Sequence, residues 1–368
     1  MHLGLGAFAR AHLGEYTDDA GDWGICGVAP HRRDVVEALA PQGGVYTLIS
    51  RGEEERFRVL GAVCEVLHAP SERVAVLAAI ADPAVEIVTL TVTEKGYRRG
   101  SEIIALLAEG LARRTERATV LSLDNLPRNG EVLASLVGVT GHRFPCTMVD
   151  RVVPATTDAD RAAVARALGV EDRGAVVAEP FRQWVIEDFD GPRPNWDALF
   201  VSSSAPHEAL KLRLLNGTHS LLAYVGPLLG AHTVAGAWAD EDLVAAAHRL
   251  ADEDLVPTLP PVPGIDVADY RAQLSRRWAN PRIEHRLAQI ALDGDQKLPA
   301  RFAEPARERI AAGRPPRWIA LALAAYVTHS GTREILAAFP SALHEHVDDW
   351  LERFVADGPR VALRAGLR

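Results

Sequence analysis

Lys211, Asn216 and His219 stand in the run Lys211-Leu-Arg-Leu-Leu-Asn216-Gly217-Thr218-His219, three polar residues of different chemistry inside a leucine-rich segment. A lysine can take or give a proton near neutral pH when desolvation and nearby positive charge lower its pKa. An amide donates hydrogen bonds while staying neutral, and an imidazole can orient a neighbour or titrate. At about 100° per residue of α-helix the three lie near ~0°, ~140° and ~80°, on one broad face. Gly217 costs such a helix roughly 1 kcal/mol against Ala, so a close approach to its backbone is expected. The same residues also suit an amphipathic helix with a snorkelling lysine and a capped break at Asn216-Gly217.

A chain of 368 residues is long for one core and predicts two domains. Residues 1–204 alternate short β-like runs with helical stretches, the pattern of a doubly wound, Rossmann-like parallel sheet covered by helices. Expected strands are Gly24–Val28, Glu86–Thr93, Thr119–Ser122 and Trp184–Ile186. Only Met1-His2-Leu3 precede Gly4, so the first strand is very short or the native start lies upstream. Residues 205–368 read as a mostly α-helical domain, with apolar residues recurring every three or four positions. Asp242–Asp252, Pro281–Leu292 and Trp318–Thr328 are its expected helices, and the proline-rich stretch Val256–Gly264 is an expected loop.

Gly4-x-Gly6-x-x-Ala9 follows the strand remnant and opens an apparent helix, the context of a dinucleotide fingerprint. Gly4 permits a tight turn, and Gly6 lets the backbone come close to a pyrophosphate. An acid near the end of the second strand accepts from a ribose 2′-hydroxyl in NAD sites. Asp34 could serve there, whereas Arg32 or Arg33 could hold the 2′-phosphate of NADP. Thr93 and Glu94 leave the fourth strand of such a sheet and would lie near the nicotinamide half; a plain turn at Glu94–Gly96 is the competing reading.

The Lys-x4-Asn-Gly-x-His run resembles the signature of the mannitol dehydrogenase family, the polyol-specific long-chain dehydrogenases. The resemblance extends through Gly4-Leu-Gly6-Ala-Phe8-Ala-Arg10-Ala-His12, Thr91-Val-Thr93-Glu94-Lys95-Gly96-Tyr97 and Asp124-Asn125-Leu-Pro-Arg-Asn129-Gly130. Met148-Val-Asp150-Arg151, Trp184-Val-Ile-Glu-Asp188 and Asp293-Gly294-Asp295-Gln296-Lys297-Leu-Pro299 continue it in the family's order. It implies NAD as cofactor, with NADP possible, no metal, and hydride transfer between a polyol and a ketose. Lys211 is then the general acid/base, and Asn216 with Asn125 form a pair resembling an oxyanion hole. His219 orients the lysine or binds a substrate hydroxyl. Glu208 governs proton escape, Asp150 and Lys297 reach substrate, and Phe8 and Arg10 meet the cofactor. Gln289 departs from the family, which usually carries an arginine eight residues before that lysine. Glutamine cannot clamp a carboxylate bidentately; Lys297 or Arg151 could compensate. The resemblance also implies a longer insertion than Arg98-Arg99-Gly100 after Tyr97.

Composition limits the alternatives. A net charge of −9 disfavours nucleic acid or an anionic membrane as partner. Cys26, Cys64 and Cys146 are odd in number and lack disulfide or zinc-ligand spacing. No apolar run is long enough to span a bilayer and no signal peptide is visible, so the cytoplasm is expected. The expected partner is a small-molecule polyol, ketose or sugar acid, and the expected assembly a monomer or small homo-oligomer. A hexuronate or cyclitol reductase and a non-catalytic nucleotide-binding relative are the competing functions.

Overall fold

The central strand of the first sheet has two residues. In chain order the strands are β1 (His2–Leu3), β2 (Ile25–Ala29), β3 (Tyr46–Arg51), β4 (Glu55–Leu60), β5 (Val63–His68) and β6 (Ile87–Leu90). They continue with β7 (Thr119–Ser122), β8 (Thr147–Asp150), β9 (Val176–Ala178), β10 (Gln183–Glu187) and β11 (Leu199–Val201). The computed structural model describes residues 1–93 and 96–368, which divide into two units, Met1–Ala205 and Pro206–Arg368.

In the first unit, β5-β2-β1-β6-β7 form a sheet whose paired strands are all parallel. Its inner strand β6, Ile-Val-Thr-Leu, is a continuous apolar or threonine run, as burial on both faces demands. β6 and β7 are buried at every position. On one face Leu3, Val88 and Val120 pack with Val76, Ile80 and Leu107 of the helices Arg73–Ala81 and Glu102–Leu111. The other face packs on a cluster that includes Tyr46, Val149 and Trp184. Two three-stranded sheets, β4-β3-β9 and β11-β10-β8, complete the unit. Each contains an antiparallel pair, β3 with β4 and β10 with β8. The hairpin of β3 and β4 was not among the expected strands, because Glu55–Leu60 carries charges that blur its alternation.

His2 explains how a two-residue strand holds its place. Its ring is buried, with Nδ1 2.7 Å from the Thr89 hydroxyl and Nε2 2.7 Å from the Thr91 hydroxyl and 3.1 Å from the Gly4 carbonyl. Burial lowers its pKa to about 3, so the ring is neutral and staples β1, β6 and the loop after β1 together.

The second unit is helical. Arg317–Ser330 is its central helix, buried from Trp318 to Val327. Among the expected helices, Asp242–Asp252 starts one residue earlier and changes character midway: Glu241–Arg249 is α-helical and Leu250–Leu255 is π-helical. Pro281–Leu292 is largely irregular, with only Leu287–Ile290 helical. There the chain around His285 and Arg286 bonds back to His232–Val234 instead, which draws the backbone out of a helix. Val256–Thr258 makes one short 3-10 turn before the proline-rich loop. No helix among the described residues is long and apolar enough to cross a membrane.

Candidate active site

In the first unit a cleft of about 1210 Å³ opens at the carboxyl ends of β1, β2 and β6. This is where open parallel sheets bind ligands. Gly4, Gly6, Arg10, Asp34 and Thr93 all line it, together with Arg32. Gly4 turns the chain at φ +102°, and an added Cβ would lie 1.9 Å from the Thr91 carbonyl oxygen. That position therefore admits only glycine. At Gly6 the nearest atom to an added Cβ, among the described residues, is 3.8 Å away, so they leave open the space that a side chain would fill. Arg10 donates to the Leu5 carbonyl at 3.2 Å and lies against the Tyr46 ring. Its Nε is buried and meets no acceptor among the described residues, a donor that an anionic group in the cleft would satisfy.

Asp34 and Arg32 pair with each other at 3.1 Å, both well exposed at the cleft. Phe8 is not brought into the cleft; its ring stacks on His12 at 5.2 Å and packs on the core. Thr93 has a left-handed backbone, φ 61°. The Asp124 carboxylate compensates by accepting from the backbone N–H groups of Val92 and Thr93, each at 2.9 Å, and from the Tyr97 hydroxyl. Asn125, the next residue, is exposed beyond the carboxyl end of β7. Glu94 lies outside the described residues. Asn129 is buried, donating to the carbonyls of Ser122, Asp124 and Thr147 and accepting from the Thr147 N–H. It fixes the loop that carries Asn125.

Asp150 ends β8, where it is 3% exposed. Arg151, the suggested substitute for a carboxylate clamp, is otherwise engaged. Its guanidinium is buried against the carbonyls of Ala11 and Glu179 and the Glu15 carboxylate.

In the second unit the Lys-x4-Asn-Gly-x-His run is not a regular α-helix. Ala205–Leu210 is α-helical, Lys211–Gly217 is π-helical, and Thr218–Leu228 resumes the α-helix. A π-turn bonds each N–H to the carbonyl five residues back, and such turns recur at functional sites. The expected α-helical angles are therefore corrected. Residues five apart, such as Lys211 and Asn216, diverge by about 140° in an α-helix but follow each other by one hydrogen-bonded turn here. Lys211 is buried and Asn216 partly so. Gly217 is approached by the core itself: an added Cβ would meet the Phe302 ring at 3.0 Å and Leu255 at 3.3 Å.

His219 is buried, and its Nε2 accepts from the Trp278 indole N–H at 2.9 Å. An indole can only donate, so Nε2 carries no proton in this arrangement. Burial, followed by the charges of His285, Arg301, Arg277 and Lys211, holds the pKa well below the usual histidine range. His285, whose ring meets His219 edge-on at 5.3 Å, is lowered to about 4, again chiefly by burial. His219 is thus a neutral imidazole in cationic surroundings. Glu208 is partly buried on the helix before Lys211. Lys297 donates to the Leu292 carbonyl at 2.6 Å, and Gln289 is exposed on its short helix.

Trp278, Arg301, His285 and His2 were not singled out by sequence reasoning. Trp278 and Arg301 lie 59 and 85 residues from the groups they bond, with no motif to connect them. A histidine placed before Leu3-Gly4 in a buried strand was the one local signal available.

The parallel sheet and its glycine-lined cleft define a dinucleotide-binding fold of the Rossmann kind, followed in the chain by a helical unit. Residues 1–198 match the mannitol dehydrogenase Rossmann domain, and residues 204–337 match the mannitol dehydrogenase C-terminal domain. The chain belongs to the mannitol dehydrogenase family. It is 37% identical to the D-mannonate oxidoreductase of Escherichia coli, over 90% of this chain and 79% of that protein. It is 32% identical to the mannitol 2-dehydrogenase of Pyrenophora tritici-repentis, over 99% of this chain and 74% of that one. Among solved structures, the Pseudomonas fluorescens mannitol 2-dehydrogenase in ternary complex with NAD and D-mannitol superposes with a TM-score of 0.89 at 29% identity. That match covers 100% of this chain and 93% of the other.

Proposed function

We propose that this chain interconverts a secondary alcohol of a polyol and the ketone of a ketose, with NAD as cofactor and Lys211 as general acid/base. The observation that carries the reading is the π-turn of Lys211–Gly217, which sets a buried lysine and an asparagine one hydrogen-bonded turn apart beside a neutral histidine. The relatives named for mannitol and mannonate oxidoreduction support the reaction class.

The cleft fits a dinucleotide: Gly4 and Gly6 clear the backbone, and the buried Nε of Arg10 awaits an acceptor. Asp34 would accept from a ribose hydroxyl, and Arg32 beside it supplies the alternative of NADP. When bound, the nicotinamide supplies the acceptor for the substrate's hydride. Lys211 takes the hydroxyl proton, which a buried amine does more readily than an exposed one. The neutral amide of Asn216, with that of Asn125 as the resemblance implies, stabilises the developing alkoxide without competing for the proton. With Nε2 held by Trp278, His219 offers Nδ1–H as a donor, suited to a substrate hydroxyl. Glu208 is the proposed proton outlet, and Asp150 and Lys297 the proposed substrate contacts. With a lysine base and amide donors, this proposed chemistry calls on no metal.

A sugar acid is the second reading. Arg277 lies close enough to His219 and His285 to lower both pKa values, and a cation there could meet a substrate carboxylate, a task open neither to Arg151 nor to Gln289. The test is reduced-nicotinamide absorbance with polyols, ketoses and hexuronates, using NAD and NADP separately. Polyol turnover exceeding hexuronate turnover supports the first reading, and the reverse the second. Tight cofactor binding without turnover on any of them sinks both.

A further inference from the structure

Arg301 lies on the helix Gly294–Ala311, outside every motif with an assigned role. Its Nη1 donates to the backbone carbonyl of Asn216 at 3.1 Å and to the hydroxyl of Ser220 at 2.7 Å. The Ser220 hydroxyl in turn donates to the same carbonyl at 3.3 Å. These three groups close a ring of hydrogen bonds where the π-turn ends and the α-helix resumes at Thr218.

We infer that Arg301 is a positioning residue for the reaction: it holds the π-turn through the Asn216 carbonyl and so aims the Asn216 amide, while Ser220 sets the guanidinium's own orientation. This rests on the catalytic reading of Lys211 and Asn216 given above.

The physical argument concerns the junction. A π-turn is rare because its backbone ladder is less favourable than that of an α-helix, and it persists only where surrounding contacts favour it. Two contacts favour it here. Phe302 and Leu255 close on Gly217 from one side, at distances that leave little room for a side chain. Arg301, the neighbour of Phe302 in sequence, binds the Asn216 carbonyl. A charged donor on a carbonyl is roughly twice as strong as a neutral one, and a fixed guanidinium holds direction as well as distance. The same cation also faces His219 and helps keep it neutral. Displacing a catalytic group by about 1 Å can cost on the order of 100-fold in rate. Loss of Arg301 should therefore show in kcat rather than in substrate affinity.

The experiment compares wild type with Arg301→Met, Arg301→Lys and Ser220→Ala, using the substrate the wild-type scan identifies. For Arg301→Met the expected result is a fall in kcat of about 100-fold, KM within about threefold of wild type, unchanged NADH binding by fluorescence, and a larger primary deuterium isotope effect. Millimolar guanidinium should recover part of the lost rate. Arg301→Lys should lie between Met and wild type, and Ser220→Ala should lose less than Arg301→Met. A large rise in KM with kcat preserved would overturn the inference, because Arg301 would then grip substrate directly. So would wild-type kcat in both Arg301→Met and Ser220→Ala.

Hydrogen exchange at residues 211–218 is the readout independent of activity. Exchange at least tenfold faster in Arg301→Met supports Arg301 as the group that holds the π-turn, separately from whether the catalytic reading of Lys211 and Asn216 stands. Unchanged exchange overturns it even if activity is lost. If Arg301→Met fails to fold, Ser220→Ala decides: unaltered exchange and kcat there reject the ring of hydrogen bonds.

Discussion

The indole N–H of Trp278 bonds Nε2 of His219 at 2.9 Å, and the two rings meet at 61°. The bond fixes which imidazole nitrogen is bare and leaves Nδ1 to carry the proton. It also couples the helix Val267–Trp278 to the helix Thr218–Leu228, so the orientation of a candidate site residue depends on a side chain far along the sequence.

Trp278→Phe tests that coupling. Phenylalanine retains most of the ring's packing but removes the donor, leaving a buried acceptor unsatisfied at a cost of about 1–3 kcal/mol. Turnover should fall roughly tenfold, about 1.4 kcal/mol in the barrier, and the urea midpoint should drop in parallel. Imidazole nitrogen shifts by NMR should report a Nδ1–H tautomer in wild type and a mixture in the variant. A variant with wild-type turnover and the same tautomer would show that His219 is oriented by other contacts.

Lys211→Ala should lower the single-turnover rate of hydride transfer by about 10²–10⁴-fold, the range of a lost general acid/base. NADH binding, measured by fluorescence titration, should stay within about twofold of wild type. Near-wild-type turnover would remove the lysine from the chemistry, whatever the sequence signature suggests.

β1, β2, β6 and β7 of the first sheet were legible because they are short runs separated by turn residues and because Gly4 and Gly6 follow one of them. The edge strand β5, interrupted by Glu65, was not among the expected strands. Lys211, Asn216 and His219 were legible as residue types at a spacing. Their geometry was not, since hydrophobic periodicity near 3.6 does not register a change from four-residue to five-residue hydrogen bonding. Leu214, Leu215 and Leu221 are buried in either case. Nor could spacing reveal Arg301 or Trp278, which reach the run only through tertiary packing. Gly217 was read as permitting a close approach to its backbone, and Phe302 and Leu255 make that approach. Arg151 is the opposite lesson: a charged residue in a motif next to Asp150 spends its donors on Glu15 and two carbonyls.

Gly4 and Gly6 should separate folding from cofactor binding. Gly4→Ala forces a side chain onto a positive φ and onto the Thr91 carbonyl. It should destabilise the protein by several kcal/mol, beyond about 1–2 kcal/mol from the backbone conformation alone. Gly6→Ala meets no atom of the described residues closer than 3.8 Å, so its melting temperature should match wild type within about 1 °C. Its NADH dissociation constant should rise about tenfold, equivalent to about 1.4 kcal/mol. If Gly6→Ala bound NADH as wild type does, the pyrophosphate would not approach the backbone at that point.

The pH dependence of stability follows from four buried groups of two kinds. His2 and His285 have folded pKa values of about 3 and about 4, and His219 is lowered as well. Below about pH 6.5 the unfolded chain binds protons that these folded histidines refuse, so each removes about 1.4 kcal/mol of stability per pH unit on acidification. Asp254 acts in the opposite sense. Its carboxylate accepts from the backbone N–H groups of Trp318 and Ile319, at 2.8 and 2.9 Å, capping the central helix of the second unit. Burial nevertheless raises its pKa to about 7 against those bonds. Between about pH 4 and 7 the folded state therefore holds a proton that the unfolded state releases, and stability from this group is lost as pH rises through 7. Asp254→Asn keeps an acceptor oxygen for both N–H groups and removes the charge. By urea denaturation it should gain stability over wild type at pH 8, by up to about 4 kcal/mol on three pH units of linkage. At pH 5, roughly one pH unit above the unfolded pKa, the difference should shrink to about 1.5 kcal/mol, and the variant should lose stability on acidification more steeply. An advantage that is the same at both pH values would mean that Asp254 does not change its charge in the folded protein over this range. Asp254→Ala, which strips the cap, should be less stable than Asp254→Asn at either pH by about 1–2 kcal/mol.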